Sequence, residues 1–197
     1  IMERRLSTVL ALDVVGYSKL MADDEVSTLE NLKKRRNFID SAIREHGGRI
    51  FNTAGDSVLA EFASPVRAVE CSVQIQNKSH AYNNSADDND KMRFRIGINV
   101  GDVMISEDNL FGDAVNIAAR LEAQAITDGI CISQSTFDLV NLKVKVSYED
   151  AGELELKNIG RPIKAYNVLK CKGAIRGVTS ALDSPVTKIT EVKPGSV

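Results

Sequence analysis

Two aspartates stand where strand-like segments should end. Asp13 closes the apolar run of residues 7–15 just before Gly16, and Asp56 follows Gly55 in Ala54-Gly55-Asp56. Carboxylates at such ends lie among backbone N–H groups that turn outward. The combination suits Mg²⁺ ions carrying a triphosphate, because hard cations take oxygen ligands and phosphate takes N–H donors. Both residues also fill ordinary turn slots, where Asp is favoured, so spacing alone leaves the two readings side by side. A third group lies in residues 109–122, NLFGDAVNIAARLE. There Ala114, Ile117, Ala118 and Leu121 recur at i, i+3, i+4 and i+7, which predicts a core-facing helical stripe. Asp113, Asn116 and Arg120 share a different face. That face is either simply solvated or, since the helix carries little other polar surface, aimed at something specific.

The surrounding pattern predicts what must position these groups. Residues 7–15 read as a buried strand. Ser27-Thr28-Leu29-Glu30 reads as a capping box opening a helix that stops at Gly47-Gly48. Residues 49–53 and 57–62, joined through Ala54-Gly55-Asp56, predict a β-hairpin. A helix follows over 65–82 with proline at its start, then a polar loop over 83–90. Residues 92–100 alternate as a half-buried strand. After the helix near 112–123 come a strand over 129–133, a short helix over 134–141, and strands over 144–148, 153–157 and 164–169. Helices and strands interleave in the order of an α/β sandwich, a mixed sheet with helices packed on it. Residues 1–170 form one domain, and 171–197 read as a polar tail.

Composition narrows the classes. With 43% apolar and 26% charged residues and a net charge of −2, the chain builds a core and offers no nucleic-acid surface. The basic run Lys33-Lys34-Arg35-Arg36 and the pair Arg93/Arg95 read as solvated faces. Cys71, Cys131 and Cys171 show no metal-type spacing, so free thiols are expected. No apolar run approaches the roughly 18 residues of a membrane span, and the N-terminus lacks a signal-peptide pattern. No membrane partner and a cytoplasmic location are therefore expected.

Five stretches in order, ALDVVGYSKLM, GGRIFNTAGDSVLAEF, RIGINVGDV, FGDAVNIAARLEA and LKNIGRPIKAYNV, resemble the class III nucleotidyl cyclases, the adenylate and guanylate cyclase catalytic domain. The resemblance runs from Leu12 to about Leu169 and implies a ferredoxin-like α/β sandwich. It also implies a head-to-tail homodimer with two active sites at the subunit interface. Asp13 and Asp56 match the metal-binding aspartates, with the Val14 carbonyl as a further ligand for two Mg²⁺ or Mn²⁺ ions. Asn116 and Arg120 match the pair that reaches across from the other subunit, Asn116 to orient the ribose and Arg120 to stabilise charge on the α-phosphate. Lys157 falls where the family contacts the terminal phosphates of the nucleoside triphosphate.

The chain departs from the family at the base. Where adenylate cyclases carry a Lys four residues before the second metal aspartate, this chain has Asn52. Where they carry an Asp two residues before the aromatic-Gly-Asp, it has Asn109. The guanine-reading Glu and Cys are absent as well. Metal and transition-state positions are kept while the base pocket changes. That pattern resembles the bacterial pyrimidine cyclases of antiphage signalling and points to UTP or CTP, with cyclic UMP or cyclic CMP as product. The alternatives are an adenylate cyclase with an unorthodox pocket and a non-catalytic cyclase-homology module. A diguanylate cyclase or polymerase-like palm shares the two-metal logic, but no GGDEF-like turn is present.

Overall fold

The computed structural model describes residues 2–169. The tail over 171–197 and Cys171 lie outside the described residues. Among the described residues eight strands form one sheet: β1 Glu3–Val14, β2 Arg49–Ala54, β3 Ser57–Phe62, β4 Phe94–Ser106, β5 Asn109–Phe111, β6 Ile130–Ser133, β7 Tyr148–Leu154 and β8 Ile163–Val168. Their order is β2-β3-β1-β4-β6-β8-β7, with β5 folded back on β4. Pairing is antiparallel except between β4 and β6. The mixed sheet with packed helices is therefore as expected.

Strand alternation divides the molecule into two layers of core. From β1, Leu10, Leu12 and Val14 join Phe94, Ile96 and Ile98 of β4 against α2 Glu25–Glu45, α3 Pro65–Ser85 and α5 Gln134–Val140. The intervening residues Val9 and Ala11 face the other way, onto α4 Asp113–Gln124. The predicted stripe of α4 is buried, Ala114, Ile117, Ala118 and Leu121 all being at most 4% exposed. Asp13 continues the Val9–Ala11 alternation, so it belongs to the α4 side.

Two glycines set α4 in place. Gly112 enters the helix at φ 112°, a conformation that L side chains rarely adopt. Gly97 of β4 lets the helix lie directly on the sheet: a Cβ there would meet the Glu122 nitrogen at 2.2 Å and the Ala118 oxygen at 2.4 Å. Since both obstacles are backbone, Gly97→Ala should cost about 3 kcal/mol, the upper end of ordinary overpacking. Urea denaturation checks this, and a loss under about 1 kcal/mol would show that α4 rides more loosely than described.

Several expectations are corrected. The helix α2 starts earlier than the capping box implied, because Asp24 accepts the Ser27 N–H at 3.0 Å. It is preceded by α1 Tyr17–Asp23, which buries no residue and so left no apolar period to read. Residues 83–85 extend α3, and β4 runs on to Ser106. Residues 144–147 are not strand despite their alternation, and only Tyr148 of the expected segment belongs to β7: Val144 N–H bonds back to Val140 O and Val146 N–H to Val144 O. Only Leu154 and Glu153 of the expected strand over 153–157 are in β7.

Of the basic residues read as solvated faces, Lys33, Lys34 and Arg93 are exposed as expected, and Arg35 and Arg95 are not. Arg35 is fully buried. Its guanidinium reaches Asn31 Oδ1 at 3.2 Å, Asn83 Oδ1 at 2.8 Å and the Asp90 carbonyl at 2.9 Å, under the Tyr82 ring at 3.9 Å. It ties α2 and α3 to the approach to β4. Cys71 and Cys131 are free and buried, burial pushing the thiols up to about 12 and about 11.

Candidate active site

The β1 end and the β2–β3 turn bring the two aspartates together. Val14 N–H donates to Asp56 Oδ2 at 2.9 Å, so the backbone next to Asp13 fixes the second carboxylate. Burial raises the Asp56 pKa above its ordinary value, against the Val14 hydrogen bond, and the Asp13 charge adds to the rise. Both acids remain partly open to solvent.

These residues fit a divalent-ion site. They are hard oxygen donors, and their mutual repulsion is what a bound cation relieves. Among the described residues no cluster of three or more His, Cys, Asp or Glu could hold an ion. Two carboxylates with the rest of the shell from water and phosphate is the usual arrangement for Mg²⁺. The structure engages Val14 through its N–H; the expectation for its carbonyl stays an expectation.

Sequence reasoning missed two members of this cluster. Arg95 is the cross-strand partner of Asp13 in the β1–β4 ladder, with its Nη2 3.5 and 3.4 Å from the two Asp13 oxygens. From α4, Glu122 lies 93% buried with Oε1 3.5 Å from Arg95 Nε. Its carboxyl is pushed well up, first by burial and then by the Asp13 carboxylate against it. The signal for Arg95 was its place in the strand alternation, which Asp13 shares once the register is known.

Arg120 and Lys157 form a second group. Arg120 Nε donates to the Lys157 carbonyl at 3.2 Å, while the Lys157 side chain is exposed. Asn116, one turn earlier, is exposed on the same face. Residues two apart on a helix point about 200° from one another. Glu122 is turned down to Asp13, and Arg120 is turned away from it. One copy of the chain therefore presents its acids and its arginine in different directions. A cleft of about 860 Å³ lies at the other end of α4 between Asn99, Asp113, Gln134 and Arg161, and includes neither Asp13 nor Asp56.

Asn52 and Asn109 occupy neighbouring edges. A bulge between Ile50 and Asn52 inserts Phe51, which packs on the Val9–Ala11 cluster, and Asn52 stands opposite Leu59, exposed. Arg49 NH1 donates to the Asp108 carbonyl at 2.8 Å, drawing the β4–β5 turn against β2. Asn109 Oδ1 accepts the Leu110 N–H at 3.0 Å.

The sequence profile described as "Adenylate and Guanylate cyclase catalytic domain" matches residues 4–170. The chain belongs to this family. The putative adenylate cyclase 3 of Rhizobium meliloti (strain 1021) is 41% identical over 164 residues, 83% of this chain and 28% of that protein. The cyclase domain thus spans well under half of that relative's length. Among solved structures, the adenylate/guanylate cyclase/hydrolase from Silicibacter pomeroyi superposes with a TM-score of 0.82 at 37% identity, covering 87% of this chain and all of that one. The adenylyl cyclase CyaB from P. aeruginosa shares the fold, with a TM-score of 0.75 at 22% identity over 88% and 98% of the two chains. No helix of the described cyclase domain is long and apolar enough to cross a membrane.

Proposed function

We propose that this cyclase domain converts a pyrimidine nucleoside triphosphate, UTP before CTP, to its 3′,5′-cyclic nucleotide and pyrophosphate, in a homodimer whose two sites are shared between subunits. The opposed directions of Glu122 and Arg120 on α4 support the sharing, because Arg120 leans away from the Asp13 of its own chain. Asp13 and Asp56, with the Val14 carbonyl, would hold two Mg²⁺ or Mn²⁺ ions, which would supply charge neutralisation and a lowered 3′-hydroxyl pKa. Asn116 of one subunit orients the ribose for in-line attack on the α-phosphorus. Arg120 donates to the phosphate oxygens where charge develops, and its tether to the Lys157 carbonyl leaves the terminal guanidinium nitrogens for that task. The Lys157 ammonium holds the terminal phosphates until pyrophosphate departs. The cyclic product would serve as a diffusible second messenger, of the kind antiphage systems use, made in the cytoplasm.

The observation that carries the base assignment is the bond at Asn109. With Oδ1 taken by the Leu110 N–H, the amide presents its NH₂ to a ligand. An aspartate would present an acceptor to the amino group of adenine. A donor matches a carbonyl instead, O4 of uracil or O6 of guanine, and opposes the amino groups of adenine and cytosine; the absence of the guanine-reading Glu and Cys then favours uracil. Asn52 offers both a donor and an acceptor for the remaining edge. A second reading, ATP to cyclic AMP, is favoured by the Rhizobium meliloti relative described as a putative adenylate cyclase.

Product analysis with each of the four triphosphates and Mn²⁺ decides between them. The expected order is UTP, then CTP, then ATP, and Asn52→Lys with Asn109→Asp should raise ATP turnover while lowering that of UTP. Discrimination should fall short of the roughly 10⁴–10⁵ seen where every buried hydrogen-bonding group is matched. A wild-type preference for ATP over both pyrimidines would assign the second reading, and no turnover of any triphosphate would remove the catalytic one.

A further inference from the structure

We propose that Arg95, braced by Glu122, is a positioning residue that holds Asp13 in the orientation divalent ions need. The inference rests on the reading of Asp13 as a metal ligand and goes beyond it, since neither Arg95 nor Glu122 belongs to the expected ligand or transition-state set.

Four features of the geometry lead there. Arg95 faces Asp13 across two strands in register, so the pair is fixed by the sheet rather than by chance surface contact. One guanidinium nitrogen lies almost equally far, 3.5 and 3.4 Å, from both Asp13 oxygens. It steadies the whole carboxylate without capturing either oxygen at short range, so both stay available. A second nitrogen, Nη1, donates to the Ala123 carbonyl at 3.1 Å, which anchors the fork to the last turn of α4, where a cation also suits the helix dipole. The third nitrogen, Nε, is buried and faces Glu122 Oε1 at 3.5 Å, and neither atom has a hydrogen-bond partner.

The close packing at Gly97 explains why Glu122 is there at all. The helix can bring the Glu122 backbone down onto β4 only because residue 97 lacks a Cβ. Glu122 is therefore driven into the sheet two residues along from Arg95 on the same strand face. A nearly enclosed polar side chain at that point is costly as core filling, yet it stands where it limits the movement of Arg95. Groups of this kind, which touch a ligand rather than the metal, typically alter metal affinity or activity by about 10–100-fold when removed.

The test is Mn²⁺ binding to the full chain, read from the electron paramagnetic resonance signal of free Mn²⁺, with turnover measured against Mn²⁺ concentration. Arg95→Met should raise the Mn²⁺ concentration for half-occupancy by about 10–100-fold, with turnover recovering toward wild type as Mn²⁺ is increased. Arg95→Lys, which keeps a cation but cannot reach three partners at once, should fall between. Glu122→Gln should shift Mn²⁺ binding in the same direction and less. A purely structural role would lower the melting temperature and leave the Mn²⁺ dependence alone. If Arg95→Met fails to fold, Arg95→Lys and Glu122→Gln carry the comparison. Mn²⁺ half-occupancy within about threefold of wild type in the folded variants would overturn the proposal, while Asp13→Ala binding Mn²⁺ like wild type would overturn the metal reading beneath it.

Discussion

Mixing inactive Asp13→Ala with inactive Arg120→Ala should restore about a quarter of wild-type turnover. Each variant alone lacks one half of both sites in its homodimer, and loss of a transition-state donor such as Arg120 typically costs about 10²–10³ in rate. After subunit exchange in equal amounts, half the dimers are mixed. Each of these has one intact site, formed by Asp13 of one chain and Arg120 of the other, and one site lacking both. The prediction follows from the divergence of Arg120 and Glu122 on α4, where only Glu122 approaches the chain's own Asp13. Turnover after exchange, with mixed dimers counted by differential tags, checks it. A mixture that stays inactive although mixed dimers form would place each complete site within one chain.

The second large effect is at Asp56, where catalysis and stability should move in opposite directions. Asp56→Asn removes a charged ligand, and turnover at neutral pH should fall at least about 100-fold, since even a group behind a ligand is worth about 10–100-fold. The fold should survive, because the asparagine oxygen can still accept the Val14 N–H that Asp56 accepts now. The metal-free protein should in fact become more stable. Burial and the neighbouring Asp13 raise the Asp56 pKa. A carboxylate raised in this way contributes its stability below the unfolded value and loses it as pH rises through the folded one. Above its raised pKa the ionised Asp56 is therefore a strain on the metal-free chain, and asparagine relieves it. The melting temperature of the variant should exceed that of wild type in chelator at pH 7, with the difference closing below about pH 4. Wild-type turnover in excess chelator would remove the metal-dependent mechanism.

What the sequence disclosed follows the range of the interactions involved. The β2–β3 hairpin and α4 are local, and their turn residues and periodicity place Asp56, Asn116 and Arg120 without knowledge of the rest. Arg95 and Asp13 lie 82 residues apart, and their contact depends on the register of β1 against β4, which no local pattern specifies. Arg93 and Arg95 therefore read alike, although Arg93 pairs at the surface with Asp128 and Arg95 enters the site. Arg35 was hidden by its basic neighbours, since the partners that bury it are carbonyls and amides contributed by α2, α3 and the segment before β4. The misread strand over 144–148 failed for another reason. Its alternation is genuine, but over 144–147 the chain is turning away from the end of α5, with the Val144 N–H bonded to Val140 O, and strand pairing begins only at Tyr148.

Arg120 is tethered to a carbonyl rather than to a side chain. A main-chain oxygen is supplied by whichever residue occupies position 157, so the bond makes no demand on that residue's chemistry. If the Lys157 ammonium meets the terminal phosphates as proposed, one position answers to two masters, its backbone to the arginine and its ammonium to the ligand, and a change in the second leaves the first untouched. A substitution at position 157 should therefore alter whatever its side chain meets while the placement of Arg120 stays with the fold.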